Sequence, residues 1–287
     1  MQVARSIAEW RDAATRARAA GHRVGLVPTM GALHAGHLSL IDRARRECDV
    51  VLVTIFVNPR QFNDDADLAA YPRDLERDLA LCTSAGVDVV AAPELAEMWP
   101  SYPQATATVV HVAGLADAWE CEGRPGHFDG VASVVAKLFA VTGPCRAYFG
   151  EKDFQQLAVV RTMVSDLSVP VELVGCEIVR EEDGLALSSR NSRLSPSGRV
   201  AALSLSRAVA LAGAAGPASG PERGETARRE MSESGVEVAY ATVVDPVTFR
   251  RLGDREWGEA RVLVAGVVEG VRLLDNGPVS IPGPRGE

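Results

Sequence analysis

Lysine is almost missing from this chain. Of 30 basic residues only Lys137 and Lys152 are lysines. An ammonium in so arginine-rich a sequence points to a task for a compact point charge that a planar guanidinium does not perform. Long apolar runs are missing too. No stretch reaches the ~18 residues that a membrane span requires. The N-terminal "MQVARSIAEWRDAATRARAAG" has an amphipathic helix pattern, with neither an apolar signal core nor a small-residue cleavage site. Cytoplasm is the expected compartment, and no membrane partner is expected. The five cysteines, at 48, 82, 121, 145 and 176, are odd in number and form no Cys-x-x-Cys pair. That argues against a disulfide framework or a zinc site, and for reduced, buried thiols. A basic surplus is also absent. The net charge of −8 speaks against general nucleic-acid binding, so an anionic ligand must be held by a local arrangement of donors.

What is present is an ordinary globular balance, 47% hydrophobic and 24% charged over 287 residues, enough for one large domain or two ordinary ones. Residues 5–20 read as a helix with Ile7, Trp10 and Ala14 on one face. "RVGLVP" reads as a short buried strand, followed by a helix starting near Gly36–His37. "VVLVTIFV", residues 50–57, is continuously apolar and β-branched, as a strand covered on both faces must be. Helices are expected over "DLERDLALCTSAG", "GVASVVAKLFAV" and "DFQQLAVVRTMVSDL". Strands are expected over "VDVVAA", "TATVVHV", "RAYFG" and "VELVGCEIV". This alternation predicts an α/β domain with a mainly parallel, doubly wound, Rossmann-like sheet over 1–178. Beyond it, a polar loop, an Ala-rich helix, a Gly/Pro/Ser connection near 212–224 and two strand regions predict a smaller α+β domain over 179–287. No internal repeats are visible.

In doubly wound sheets ligands bind beyond the carboxyl ends of the strands, and the unusual residues fall there. After the first strand come Met30, Gly31 and the pair His34 and His37. A helix starting at Gly36 offers free N–H groups and its dipole to an anion. The pair also reads as a helix cap, and a zinc site would need ligands that the other histidines, His22, His111 and His127, do not obviously supply. Asn58 and Gln61 follow the second strand, as uncharged hydrogen-bonding groups or as a plain turn. The acidic stretch "FNDDADLAAYPRDLERD" reads as a lid or a solvated loop, with Asp78 either a Mg2+ ligand or a helix-face ion-pair partner. Lys152 opens a helix after "RAYFG", placed for phosphate oxygens or simply on the surface. Ser188, Ser189 and Arg190 suit phosphate binding or an interdomain linker. Together these strand ends predict a nucleotide site between the two domains.

"PTMGALHAGH", "IFVNPRQF", "YPRDLERD", "RPGHFDGV", "FGEKDFQQL", "VREEDGLALSSRN" and "RLLDN" occur in this order across residues 24–277. The series resembles the pantothenate synthetases, or pantoate–β-alanine ligases, of the HIGH-motif nucleotidyltransferase superfamily. The resemblance implies condensation of D-pantoate with β-alanine, driven by ATP and Mg2+, through a pantoyl adenylate, with release of AMP and diphosphate. It also implies a cytoplasmic homodimer with a small domain folding over the nucleotide. By the same resemblance Met30, Gly31, Ala32, Leu33, His34, Ala35, Gly36 and His37 line the ATP site. Gly150, Glu151, Lys152 and Asp153, then Val179, then Leu187, Ser188, Ser189 and Arg190, complete it. His37 is the implied proton donor, with His34, Lys152 and Arg190 assisting. Gln61 and Gln156 hold pantoate, and Asn58 and Asp78 fall at secondary substrate and Mg2+ positions. The chain departs from the family at Leu187, where methionine is usual, at Arg77–Asp78, where an acidic pair is common, and in "WECEGRPGHF".

Other classes compete for the same motifs. An aminoacyl-tRNA synthetase shares His-x-Gly-His but needs a tRNA-binding region that this acidic chain does not show. A nucleotide-forming adenylyltransferase needs a phosphorylated or nucleotide acceptor, and the uncharged Gln61 and Gln156 suit a small hydroxy acid better. A non-catalytic nucleotide-binding protein has no need of both histidines and Lys152.

Overall fold

The β-branched run at 50–57 requires cover on both faces, and the computed structural model, which describes residues 1–283, provides it. Six parallel strands run β1 (Gln2–Ala4), β2 (Val24–Thr29), β3 (Val50–Ile55), β4 (Val89–Ala91), β5 (Cys145–Gly150) and β6 (Val171–Cys176). Their order is β1-β4-β3-β2-β5-β6. Val51, Leu52 and Val53 at the centre of β3 are fully buried. The register Val24↔Val50 to Thr29↔Ile55 brings β2 and β3 to their carboxyl ends together. β2 pairs with β5 on its other side, through Gly25↔Arg146 and Leu26↔Ala147. The strand order therefore reverses between β2 and β5, the switch point outside which open α/β sheets bind ligands.

Helices α1 (Ile7–Ala19), α2 (Ala35–Glu47), α3 (Asp65–Ala70), α4 (Leu75–Ser84), α5 (Leu95–Met98), α6 (Glu120–Gly123), α7 (His127–Thr142) and α8 (Phe154–Asp166) connect these strands. Ser6 caps α1 in a reciprocal box with Glu9, which sets its start, and Trp10 is buried on its inner face. Two compact units result. One is Met1–Glu151 with Gln155–Glu177, and the other is Lys152–Phe154 with the chain from Ile178 onward.

In the second unit β7 (Glu237–Val244), β8 (Gly258–Val268) and β9 (Val271–Ile281) form an antiparallel sheet that follows α9 (Pro196–Gly213) and α10 (Gly220–Glu233). Leu205, Ala208, Met231, Val262, Val264 and Leu273 belong to its core. Among the described residues no helix is long and apolar enough to cross a membrane. All five cysteines are free thiols, four of them buried. Burial pushes the Cys82 thiol up to about 11, so it stays protonated and unreactive at neutral pH.

Three local expectations are corrected. "TATVVHV" forms no strand. It finds no ladder partner, and side chains hold it instead: Val110 N–H donates to Ser133 Oγ at 2.9 Å and His111 Nδ1 lies 2.8 Å from Asp129. The Gly/Pro/Ser stretch near 212–224 is a connection only as far as Ser219. From Gly220 it is the first turn of α10, where the Ser219 N–H donates to Glu222 Oε2 at 2.7 Å. Gly224 is there because a Cβ would press on the β7 backbone, 3.2 Å from Ala241 O. Third, β1 adds a strand ahead of α1 that no sequence pattern marks, because so short a segment carries no period.

One close approach has a direct consequence for the site. A Cβ on Gly130 of α7 would lie 2.1 Å from the Arg60 carbonyl oxygen and 2.8 Å from Gln61 Cα. Both obstacles are backbone, so neither can swing aside. Gly130→Ala is expected to destabilise the fold by at least the upper end of the about 1–3 kcal/mol typical of overpacking, seen as a lowered denaturation midpoint. An unchanged midpoint in urea or heat would show that α7 does not seat directly on the 59–61 turn.

Candidate active site

β2 ends in a turn that leaves the sheet by a narrow route. Thr29 Oγ1 donates to Thr54 O at 2.6 Å and accepts the Gly31 N–H at 3.1 Å. Gly31 lies at φ +79°, where a side chain is strained, and a Cβ there would meet Asp78 Oδ2 at 2.8 Å. Ala32 follows at φ +51° without a glycine's freedom, a conformation that costs of order 1–3 kcal/mol unless the surroundings impose it. Asp78 imposes it. Its carboxylate, buried in α4, accepts the Ala32 and Leu33 N–H groups at 2.8 Å each. Leu33 then drives its side chain into the core, with no exposed surface. Of the residues expected to line an ATP site, Leu33 therefore presents no side chain.

α2 begins at once, and the two histidines cap it. His34 is the N-cap, and its Nδ1 accepts the Gly36 N–H at 3.2 Å. The His34 N–H in turn reaches His37 Nδ1 at 3.4 Å. The motif is a capping box built from two imidazoles, their centroids 4.1 Å apart. Backbone N–H groups only donate, so both Nδ1 atoms must be acceptors, and in the neutral rings the proton sits on Nε2. The cap and the donor readings of these histidines are thus compatible. Nδ1 holds the helix start, and Nε2–H is a donor beside a positive helix terminus.

β3 ends at the 3₁₀ turn Pro59–Gln61. Asn58 is 1% exposed and fully engaged. Its Nδ2 donates to Gln61 Oε1 and to Gly130 O, both at 3.1 Å. Its Oδ1 accepts from Trp99 Nε1 at 2.9 Å and from the Arg60 N–H at 3.3 Å. It has no capacity left for a ligand, so its expected substrate contact is replaced by a scaffolding one. Gln61 differs: among the described residues its Nε2 donates to nothing. The two glutamines of α8 separate the same way. Gln155 Nε2 donates to Leu115 O and Ala118 O at 2.8 Å each, whereas the half-buried Gln156 makes no side-chain hydrogen bond among the described residues.

The other expected residues lie in the second unit, apart from Gly150 and Glu151 at the end of β5. Lys152 is half-buried, its Nζ 3.4 Å from Asp153. Its backbone carbonyl accepts from Asn276 Nδ2 at 2.7 Å, and Asn276 Oδ1 accepts from Arg261 Nε at 2.8 Å. Arg261 lies over the Phe154 ring at 3.8 Å. Val179 O accepts the Leu187 N–H at 3.0 Å, closing a hairpin. Arg180 grips Asp275 with both terminal nitrogens, at 2.6 and 2.9 Å. The Ser188 hydroxyl caps the turn Ser189–Arg193, which carries Arg190. Asn191 ties that turn to Ala186 O at 3.0 Å and to Glu181 at 2.8 Å. The second rare lysine, Lys137, has a structural task. Its ammonium caps the Met98 carbonyl and lies 5.1 Å from the Trp99 ring centre.

The comparisons with known proteins decide the family. The family model for pantoate–β-alanine ligase matches residues 2–278. The chain belongs to the pantoate–β-alanine ligase family. It is 52% identical to the pantothenate synthetase of Cereibacter sphaeroides over 279 residues, covering 96% of this chain and 99% of that one. The crystal structure of pantothenate synthetase from Thermus thermophilus matches with a TM-score of 0.87 and 49% identity, covering 96% of this chain and 99% of the other. A pantoate–β-alanine ligase from Francisella tularensis, complexed with beta-gamma ATP and β-alanine, matches at 0.81 and 31% identity over 99% of this chain and all of that one.

Within this ligase the expected Mg2+ position at Asp78 does not fit a cation. Both carboxylate oxygens already accept backbone N–H groups in a buried setting, so a cation there would compete with the contacts that hold the turn and would face the positive ends of two N–H dipoles. Among the described residues no group of three or more His, Cys, Asp or Glu side chains is placed to hold a metal. Sequence reading missed Arg124 and His127, which hold the Gln61 carbonyl, Trp99, which holds Asn58, and Asn276, which holds Lys152. Only the blocks "RPGHFDGV" and "RLLDN" hinted at three of them. Asp78→Asn turns an N–H group of its own against Ala32 or Leu33. It is expected to destabilise the fold by about 1–3 kcal/mol for the N–H group left unpaired and to slow turnover, with the Mg2+ concentration for half-maximal activity unchanged. A large rise in that Mg2+ requirement, with a normal melting temperature, would restore the metal-ligand role.

Proposed function

We propose that this ligase activates D-pantoate with ATP as a pantoyl adenylate and transfers the acyl group to β-alanine, releasing diphosphate and then AMP. The ligation of pantoate to β-alanine is the family's activity. The carrying observation for the adenylation step is the start of α2, where the helix terminus and two Nε2–H imidazoles converge on one small region. That arrangement suits phosphate oxygens.

In the first step a carboxylate oxygen of pantoate attacks the α-phosphorus and diphosphate leaves. Two anions meet, so donors and positive charge must offset repulsion in the transition state. His34 and His37 donate to phosphate, His37 being the proton donor. Lys152 supplies a point charge and Arg190 a second cation. Ser188, Ser189 and the backbone of Gly150–Asp153 add hydrogen bonds. Gln61 and Gln156 orient pantoate with uncharged donors. In the second step the β-alanine amine attacks the acyl carbonyl and AMP departs. No protein nucleophile is required, since every bond made or broken lies in the substrates. Mg2+ enters with ATP as part of the nucleotide substrate, not on Asp78. The family resemblance supports a cytoplasmic homodimer.

The test is AMP release that depends on both pantoate and β-alanine. His37→Ala and Lys152→Ala are each expected to lower the adenylation rate at least ~100-fold, the scale for removing one oxyanion donor, with unchanged circular dichroism. Near-normal adenylate formation in either variant refutes that residue's role. AMP release that ignores β-alanine refutes the ligase reading.

A further inference from the structure

Side-chain amides offer two faces that look alike, and a neighbour of single polarity is what tells them apart. Asn58 has two such neighbours. The indole N–H of Trp99 only donates, and the Gly130 carbonyl only accepts. The first fixes Oδ1 toward Trp99 at 2.9 Å, and the second fixes Nδ2 toward α7 at 3.1 Å. The remaining Nδ2 hydrogen must then point at Gln61, 3.1 Å away, so the Gln61 atom that receives it is the oxygen. The Gln61 NH2 group is turned to the opposite side.

The rest of Gln61 is held as firmly. Its carbonyl accepts from His127 Nδ1 at 2.8 Å and from Arg124 Nη2 at 3.3 Å. Trp99 is 6% exposed, and its ring has the Arg60 guanidinium 5.0 Å and the Lys137 ammonium 5.1 Å from its centre. Its backbone N–H donates to the Leu95 carbonyl at 2.7 Å. The indole cannot turn away from Asn58 without leaving both cations.

We infer that Trp99 is a positioning residue that acts through Asn58 to make Gln61 a one-way hydrogen-bond donor, so that the hydroxy acid bound there must present an acceptor oxygen. The inference rests on the pantoate role proposed for Gln61. A site with a fixed donor rejects an analogue that lacks the acceptor, because the donor is left buried and unpaired.

The experiment is a double-substitution cycle read as KM for pantoate and, separately, for ATP. Trp99→Phe keeps an aromatic ring beside the two cations and removes the N–H along with part of the indole, a packing loss that the Gln61→Ala background carries equally. It is expected to raise pantoate KM by ~10-fold, the scale of one hydrogen bond lost at a buried amide, with ATP KM within ~2-fold. In a Gln61→Ala background the same substitution is expected to add less than ~2-fold, since the coupled partner is gone. An equal penalty in both backgrounds overturns the inference and leaves the pantoate reading intact. A pantoate KM unmoved by Gln61→Ala alone overturns the reading and the inference together. Gln61→Glu reads the polarity independently of whether Trp99→Phe folds. It keeps an oxygen toward Asn58 and replaces the donor with an oxygen. Its pantoate KM is expected to match or exceed that of Gln61→Ala, and a near-native value overturns the inference.

Discussion

One buried carboxylate holds the active end of the sheet in shape. Asp78 sits on α4, yet its two oxygens close on the Ala32 and Leu33 N–H groups. Without it the turn at Gly31–Ala32, with two successive residues at positive φ, keeps only the Thr29 hydroxyl on the Gly31 N–H and the burial of Leu33 in its favour. That turn sets where Leu33 enters the core, and Leu33 sets where His34 begins α2. The imidazole capping box and its Nε2 donors follow from a contact 45 residues away in sequence. A charge that looks like a metal ligand on position alone works instead as a clamp on backbone.

The same distinction sorts the other polar groups of the first unit. A buried amide or acid whose hydrogen-bonding capacity is filled by the scaffold cannot also bind a ligand. Asn58 is filled, Gln155 has spent both of its N–H groups, and Asp78 has each oxygen committed to backbone, so all three serve the scaffold. Among the described residues Gln61 keeps its amide NH2 and Gln156 its whole amide unmatched, which supports the pantoate role proposed for them. Close backbone approach at Gly130 makes this possible, since it lets α7 bring its carbonyl and His127 against the 59–61 turn.

In the second unit the short stretch Lys152–Phe154 is held by the antiparallel sheet rather than by the helix it opens. Asn276 on β9 grips the Lys152 carbonyl, and Arg261 on β8 covers Phe154. Arg180 and Asp275 brace the hairpin that leads to Ser188–Arg190. Lys152 and the Ser189–Arg193 turn are thereby short segments braced by neighbours on or leading to strands, and elements of that kind hold a side chain more precisely than free loops do.

Much was legible in advance, for physical reasons. A run such as 50–57, apolar at every position, admits one environment only, and the alternation of such runs with amphipathic helices leaves a parallel sheet as the natural solution. The local cap signal Ser219…Glu222 was equally readable but was outweighed by the glycines and proline around it, which reflect close packing of α10 on β7. The expected strand at 106–112 failed because β-branched composition creates a strand only where a neighbouring edge accepts it. Sequence by itself determined the class of fold and the family blocks, and it named the groups proposed to meet phosphate. Tertiary structure decided which polar groups are occupied and which are spare. That is a matter of partners brought from distant segments, Trp99 to Asn58, Ala32 to Asp78, Lys152 to Asn276, and hydrogen-bond capacity is consumed by neighbours in space, which no local pattern of residues records.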